Sequence, residues 1–385
     1  MTALSVPRGL DGVVVDETTI CLADKQTDRL YYRGYAIEEL AKQANYEEVF
    51  YLVITGELPD KQGLAAQREM LQRARALPAA IAEMLERIPR DCHPMDVLRT
   101  GCSMLGNLEP ETKDNDLAAV GVRLSACLPS MLFYWHHFHA TGKRIDTDTG
   151  ESGLAAHILH LLHGRSPPEL ERRAMEANLV VYAEHDFNAS TFAARVAAST
   201  LTDAHSAFVA AIGTLRGALH GSANAAVLRF LEKFDSPDSA EKAVLDMLAQ
   251  KKRVPGFGQR AYSKSDPRNA INREWAKKLA AEKGSEKLFD IAERIESALL
   301  RERGMFANLD YYTALIYKDC GLPVALFPPM FLLARVCGLI AHIAEQRANN
   351  RIIHPSSRYT GPGPRPFIPL SERKAAVPGL REETA

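Results

Sequence analysis

The sequence predicts a predominantly helical fold. From Ala36 onward, apolar residues recur at three- and four-residue spacing in successive segments, such as IEELAKQA, YEEVFYLVITGEL and GLAAQREMLQRARAL. β-Branched and aromatic runs (VVVDETTICLAD and RLYYRGY) occur between residues 13 and 35, where they predict a small β patch. The chain shows no alternation of strands and helices around its glycine-rich stretches, and nothing repeats at a fixed period.

Composition excludes several functional classes. The 385 residues carry a net charge of −1, which leaves no basic footprint for nucleic acid. The six cysteines include no CxxC pair, so we expect reduced thiols rather than disulfides or a zinc site. The N-terminus lacks a signal pattern. We therefore expect a cytoplasmic protein without a membrane span.

The later elements follow from apolar periodicity and helix-start signals. Residues 124–139 read as a long apolar helix, and residues 169–198 as a buried helical region interrupted at 184–188. The apolar helix of residues 207–215 is expected to run on to His220, and Ser236-Pro237-Asp238 marks a helix start. A helix over 331–345 carries Arg335 among apolar neighbours. The tail of residues 351–373, rich in Pro, Gly and Arg, is expected to wrap over a surface.

Two histidine clusters do not favour a metal site. A site of this kind needs about three or four converging ligands. One cluster lacks ligand spacing and a nearby carboxylate, and in the other only neighbouring pairs share a helix face. We expect packing and surface roles for all six residues: His136, His137, His139, His157, His160 and His163.

Three stretches carry candidate chemistry, each with a plainer alternative. His220, in GALHGSAN, is either a neutral donor to a ligand oxygen or a core histidine bonded to a backbone carbonyl. The run EHDFN, residues 184–188, is costly to bury without a purpose, unless it is an exposed junction between helices. Asp310, in NLDYY, is a candidate general base with a raised pKa, or simply a helix N-cap.

The segment KKRVPGFGQR with the following DPR indicates an anion-binding loop. Its match to a loose dinucleotide-binding pattern is rejected because no strand precedes it. Lys251, Lys252 and Arg253 could meet phosphates near Gly256, or form a solvated basic run.

Together these pieces resemble citrate synthases. GALHGSAN, GFGxR with DPR, NLDYY and ARVCGLIAHIAEQ occur in the family's order along nearly the whole chain, as do GLDGVVVDET, LYYRGY and HPMDVLRTG. LFYWHHFHATGKRI, VYAEHDFNASTF and EQRANNRIIHPSSRYTGP are most similar to bacterial 2-methylcitrate synthases. The long N-terminal β extension of the NADH-regulated hexameric type is missing.

The resemblance implies an all-α homodimer with the citrate synthase fold. Residues 1–220 and 330–385 would form a large helical domain, and residues 221–329 a small domain that closes over the site. An acyl-CoA would condense with oxaloacetate, followed by thioester hydrolysis, with the CoA thioester as a substrate and no cofactor or metal. Propionyl-CoA and acetyl-CoA are both candidates.

The same resemblance assigns the residues. His220 matches the donor to the thioester oxygen, and Asp310 matches the base that removes the α-proton. His185, Arg268 and Arg335 match the groups that hold oxaloacetate, and Phe331 matches an aromatic residue beside the acyl group.

Two positions depart from the family pattern. Gln259 stands where the family has a histidine that polarises the 2-oxo carbonyl and supplies a proton, which glutamine cannot deliver. His354 stands where an arginine reaches the site from the partner subunit. A smaller departure is Ala225, where the family often has glutamate.

These departures predict an acyltransferase that condenses slowly with oxaloacetate or uses a related 2-oxo acid. The alternatives are a catalytically weak paralogue that binds a CoA ester or dicarboxylate in a regulatory role, and an acyl-CoA hydrolase that needs no acceptor.

Overall fold

The computed structural model describes residues 6–259 and 261–373. Within these residues it contains sixteen α-helices, one three-stranded antiparallel sheet and three short 3-10 turns, which confirms the all-α prediction. The sheet consists of β1 (Cys21–Asp24), β2 (Arg29–Tyr32) and β3 (Tyr35–Ala36), in the order β1-β2-β3. Cys21 lies opposite Tyr32, and Tyr31 lies opposite Ala36.

The helices account for almost all of the remaining ordered structure. Their bounds are α1 Ile37–Gln43, α2 Tyr46–Thr55, α3 Lys61–Arg73, α4 Ala79–Arg87, α5 Pro94–Leu108, α6 Leu117–Thr141, α7 Leu154–His163, α8 Glu169–Tyr182, α9 Ala189–Ser199, α10 Ala204–Leu215, α11 Ala223–Leu231, α12 Pro237–Ala249, α13 Pro267–Lys283, α14 Glu286–Arg303, α15 Leu309–Asp319 and α16 Phe327–Ala348.

Local sequence signals explain where several helices begin. At α2, the Asn45 side chain accepts from the Glu48 backbone and Glu48 returns the bond, which satisfies two otherwise free N–H groups. Ser236 caps α12 and Pro237 is its first residue, as the sequence predicted. Asp266 caps α13 in the same way. The interruption predicted at 184–188 separates α8 from α9.

Two long apolar helices form the centre of the fold. α6 and the segment Val324–Ala348, which contains α16, are long and apolar enough to cross a membrane, but 72% and 89% of their apolar windows are buried inside the protein. α16 packs against α2, α5, α6, α8, α9 and α10. Burial of this extent identifies both as core helices.

Two sequence-based expectations need correction. α10 ends at Leu215 rather than at His220, which lies in the turns before α11. The chain doubles back there, because the Gly221 N–H bonds the Leu215 carbonyl, and a Cβ on Gly221 would lie 2.3 Å from that oxygen. Asp310 is not an N-cap: Asn308 caps α15 and Asp310 is its second residue.

The chain divides into two compact units, Met1–Ile352 and Ile353–Ala385. The described part of the second unit contains no α-helix or β-strand and one 3-10 turn, at Leu370–Glu372. The expected division into a large and a small domain stays a prediction, as does the path of the tail.

Several histidines of the two clusters contact other groups of the protein. His137 and His139 contact the carbonyls of Leu161 and Leu85, and His160 contacts Glu151. In the described part of the chain, no three His, Cys, Asp or Glu side chains are grouped so as to hold a metal ion. The six cysteines are free.

Candidate active site

His220 is fixed at one ring nitrogen and open at the other. Its Nε2 lies 3.3 Å from the Ser190 backbone nitrogen and 2.9 Å from Ser190 Oγ. Because a backbone N–H can only donate, Nε2 is the acceptor, and the neutral ring carries its proton on Nδ1. Burial, with a smaller contribution from the charge of Arg335, lowers the pKa of His220 to about 4. His220 is therefore a neutral donor at physiological pH.

Asp310 has the environment of a general base. It lies in the first turn of α15, and its Oδ1 accepts a hydrogen bond of 2.6 Å from the Tyr182 hydroxyl. Burial raises the pKa of Asp310, and the Tyr182 bond opposes that rise. A carboxylate destabilised by burial accepts a proton more readily than an exposed one.

Phe331 joins these two groups. Its ring centroid lies 5.0 Å from that of Tyr182 and 5.6 Å from that of His220, in edge-to-face geometry. Phe331 and Arg335 are one turn apart on α16, and the Arg335 guanidinium lies 4.7 Å from the centre of the Phe331 ring. His220 is therefore connected to Asp310 through the contacting rings of Phe331 and Tyr182.

Arg335 is buried with one nitrogen unused. Its Nε donates to the Tyr182 carbonyl at 2.7 Å, and its Nη1 has no hydrogen-bond partner. The side chain is almost completely buried. An unpartnered guanidinium nitrogen at such depth is costly, and a ligand carboxylate would satisfy it with a charge-assisted bond.

Arg268 is held more tightly. Asp266 accepts from its Nε at 2.9 Å and from its Nη2 at 2.7 Å, a two-point contact within one buried turn. Asp266 also accepts from the Leu309 N–H, so this pair is bonded to the start of α15 next to Asp310. Burial opposes the charge of Arg268, but Asp266 outweighs this effect and raises its pKa.

His185 is influenced by the charges of Arg268 and Arg335 and contacts Tyr262. Burial, followed by the charges of Arg268 and Arg335, lowers its pKa well below the ordinary value, so the ring is neutral. Its Nε2 is 3.0 Å from the Tyr262 hydroxyl oxygen. The Arg268 guanidinium lies 5.8 Å from the centre of the Tyr262 ring.

Gln259 lies on a loop fastened beside the base. The Gly256 carbonyl accepts from the Asn308 N–H at 2.8 Å, and Phe257 forms an isolated β-bridge with Ala307. The Nε2 of Gln259 is buried without a partner. A free amide donor is thus available on the loop that is bonded to Asn308, the N-cap of α15.

A buried network of charged and polar side chains lies next to His185. The His342 Nδ1 accepts from Arg195 at 3.2 Å, so its Nε2–H donates to the Glu184 carboxylate at 2.9 Å. Glu184 precedes His185 in the chain. Although burial raises the pKa of Glu184, His342 and Arg335 bring it below the ordinary value.

The structure therefore brings together His220, Asp310, Phe331, Arg335, Arg268, His185 and Gln259. Lys251, Lys252 and Arg253 are exposed just before this loop, and their contact with CoA stays a prediction, together with that of Gly256. His354 belongs to the second unit, and its role also stays a prediction.

Sequence reasoning missed three supporting residues: Tyr182, Ser190 and Tyr262. Tyr182 and Ser190 lie within the quoted motif VYAEHDFNASTF, so their proximity to the assigned residues was available as a signal. Their partners lie 128 and 30 residues away, and only the fold shows that they are in contact.

Comparison with known proteins identifies the family. Residues 9–356 match the family model for the citrate synthase C-terminal domain. The 2-methylcitrate synthase of Shewanella oneidensis is 46% identical over 365 residues, covering 95% of this chain and 97% of that protein. The citrate synthase of Haloferax volcanii is 37% identical, covering 95% and 98%.

Solved structures give the same result. Citrate synthase from Thermoplasma acidophilum, in a ternary complex with carboxymethyl coenzyme A and oxaloacetate, matches with a TM-score of 0.89 and 29% identity over 96% of this chain and 100% of that one. The Thermotoga maritima citrate synthase gives 0.86 and 33% identity, over 96% and 100%. The purely regulatory alternative finds no support among these relatives. The chain belongs to the citrate synthase family and is an acyltransferase of that family.

Proposed function

We propose that this enzyme condenses propionyl-CoA with oxaloacetate and then hydrolyses the thioester to release 2-methylcitrate and CoA in the cytoplasm. The observation that carries the proposal is the convergence of Asp310, His220 and Phe331 on one space, with the unpartnered Arg335 nitrogen beside it. The likeness to the Shewanella oneidensis 2-methylcitrate synthase favours propionyl-CoA over acetyl-CoA.

In the first step, Asp310 removes the α-proton of the thioester, and the C–H electron pair moves to the thioester oxygen. The His220 Nδ1–H donates to that oxygen and stabilises the enolate. A preorganised donor of this kind is worth about 10²–10³ in rate. Burial serves both residues, because it keeps the imidazole neutral and makes the carboxylate more basic.

In the second step, the α-carbon attacks the 2-oxo carbon of the acceptor. Arg335 and Arg268 hold the carboxylates, and the Gln259 amide donates a hydrogen bond to the 2-oxo oxygen, with neutral His185 beside them. The site favours an anionic acceptor over an uncharged one, because the buried Arg335 guanidinium has a nitrogen without a partner and an anion would pair with it. Water then cleaves the thioester.

A steady-state assay of CoA release tests this function. We expect release from propionyl-CoA only when oxaloacetate is present, and a higher kcat/KM for propionyl-CoA than for acetyl-CoA. Asp310→Asn is expected to lower kcat by about 10²–10⁴ because the general base is lost. CoA release without an acceptor would instead identify a hydrolase.

We further propose that the enzyme is a homodimer. Leu219 is 96% exposed beside His220, and the second unit exposes Phe367 and Leu370 at 82% and 77%. Apolar side chains exposed to this degree favour burial against another chain. In such a dimer, His354 would be presented to the partner's acceptor site, where it replaces a family arginine.

Sedimentation velocity tests the dimer. We expect a mass of two chains for the wild type and dissociation of Leu219→Glu, with Leu22→Glu as a control on an exposed strand position. A wild-type monomer at assay concentration would contradict the proposal.

A further inference from the structure

The acceptor half of the site needs a proton that its most obvious residue cannot give. When the α-carbon bonds to the 2-oxo carbon, the carbonyl π pair moves onto oxygen and forms an alkoxide. The Gln259 amide can donate a hydrogen bond to this oxygen but cannot transfer a proton near neutral pH. Another group must therefore act as the acid.

The other polar side chains around the site are poor candidates. The hydroxyl of Tyr182 is committed to Asp310 at 2.6 Å. His220 faces the thioester side with a neutral ring, and the neutral ring of His185 is a weak acid. The two arginines do not release protons in proteins. Among the described residues assigned to the site or touching it on the acceptor side, this leaves the phenol of Tyr262.

Tyr262 has the position and partners of an acid. It is only 3% exposed, and its oxygen lies 3.0 Å from the Nε2 of His185. It follows Gln259 by three residues on the loop fastened next to Asp310, and the Arg268 guanidinium lies 5.8 Å from the centre of its ring. The hydroxyl thus belongs to the same group of residues that holds the acceptor.

We propose that Tyr262 is the catalytic acid of the condensation step, a role that rests on the function proposed above. Its O–H bond breaks, the proton passes to the alkoxide, and the O–H electron pair remains on the phenolate. Tyr262 recovers a proton from water after the product leaves. Atoms and charges balance, because the α-proton held by Asp310 is returned to solvent separately.

The surroundings of Tyr262 suit this role. Burial raises its pKa above the ordinary value, so the hydroxyl remains protonated at neutral pH. Arg268 opposes the rise, because its positive charge stabilises the phenolate that proton transfer leaves behind. In this role the Nε2–H of neutral His185 donates to the phenol oxygen, which leaves the Tyr262 O–H free to donate to the acceptor.

Single-turnover consumption of oxaloacetate with Tyr262→Phe tests the proposal. We expect the condensation rate to fall about 10²-fold or more, as for loss of a general acid. The KM for oxaloacetate should change little, and Asp310-dependent deuterium exchange into propionyl-CoA, measured with unreactive malate bound, should persist. Tyr312→Phe is the matched control, because this buried hydroxyl contacts Glu296 outside the site.

The double variant Gln259→His/Tyr262→Phe provides an independent arm. A histidine at 259 can supply the proton. We therefore expect the double variant to condense at least tenfold faster than Tyr262→Phe, whereas Gln259→His alone should raise the wild-type rate by much less. If Tyr262→Phe fails to fold, 3-fluorotyrosine at position 262 replaces it, and the basic limb of the rate profile should move to lower pH.

An unchanged condensation rate in Tyr262→Phe, or a defect confined to the KM for oxaloacetate, would overturn the proposal. So would a double variant no faster than Tyr262→Phe, or an unmoved basic limb with fluorotyrosine. These results differ from failure of the proposed function, in which the wild-type protein itself would release no CoA with oxaloacetate and propionyl-CoA.

Discussion

Asp310 and His220 are both shifted by burial toward their uncharged forms, and the two shifts have different uses. Burial raises the pKa of Asp310 and so strengthens it as a base. Burial lowers the pKa of His220 to about 4, which keeps a donor on Nδ1 without a charge. Burial therefore suits both residues to the roles proposed for them in enolisation.

The Tyr182 hydroxyl sets the balance at Asp310, and its removal should be visible in the pH dependence. A hydrogen bond to a charged group contributes about 1.5–3 kcal/mol, which corresponds to about 1–2 pKa units at 1.36 kcal/mol per unit. Tyr182→Phe removes a donor to the carboxylate, so the pKa of Asp310 rises further. The base must be ionised to act, so the acid limb of kcat/KM should move to higher pH.

The pH profiles of Tyr182→Phe and the wild type, measured with propionyl-CoA, check this sign. Tyr312→Phe serves again as the control, because its hydroxyl contacts Glu296 rather than Asp310. A limb that moves to lower pH would show that Tyr182 does not stabilise the ionised base.

At the scale of elements, the site depends on the contact between the 256–259 loop and the start of α15. Gly256 has a φ of +83°, and a Cβ there would lie 2.5 Å from Tyr311 Cδ2 and 2.9 Å from Val227 Cγ2. The loop carries Gln259, and Tyr311 follows Asp310. Only glycine allows both the turn and this close approach.

Substitution of two glycines separates the turn from the contact. Gly258 has a similar φ of +91° but no atom within 4 Å of its Cβ position. Both Gly→Ala changes incur backbone strain, but Gly256→Ala also overpacks a buried contact, which costs about 1–3 kcal/mol more. Urea unfolding should show this difference, and kcat should fall only for Gly256→Ala. Equal losses would mean that strain alone matters.

At the scale of the whole molecule, Arg195 connects the N-terminal segment to the centre of the fold. Its side chain is 2% exposed and donates to Asp16 at 2.9 Å and to Glu345 at 2.8 Å. It also donates to His342, which bonds Glu184 beside His185. The network joins residues from the N-terminal segment, α9 and α16 to the segment 184–188, which contains His185.

Arg195→Met keeps much of the volume but leaves acidic partners without their cation. Loss of one partner from a buried ion pair typically costs about 3–5 kcal/mol. We expect a loss of this size in the free energy of unfolding, measured by urea denaturation. Arg73→Met is the control, because its pair with Glu69 is 78% and 60% exposed and such pairs contribute only about 0.2–1 kcal/mol. Equal effects would show that the network is not stabilising.

Much of the fold was predictable because local signals were strong. The apolar period of α16, the capping sequence Ser236-Pro237 and the polar interruption at 184–188 each reflect interactions within a few residues. The predicted end of α10 was wrong, because Gly221 folds back onto Leu215 through a close backbone contact that composition alone does not reveal.

The sequence by itself determined the helical class, the family and the two residues proposed for enolisation, His220 and Asp310. Only the tertiary structure decided how these residues are tuned. Tyr182 meets Asp310 across 128 residues and Tyr262 meets His185 across 77, and the charge of Arg335 acts on both Asp310 and His185. Side chains so far apart in the chain become partners only when the helices pack together. The same packing excludes water from these side chains, and this burial shifts their pKa values.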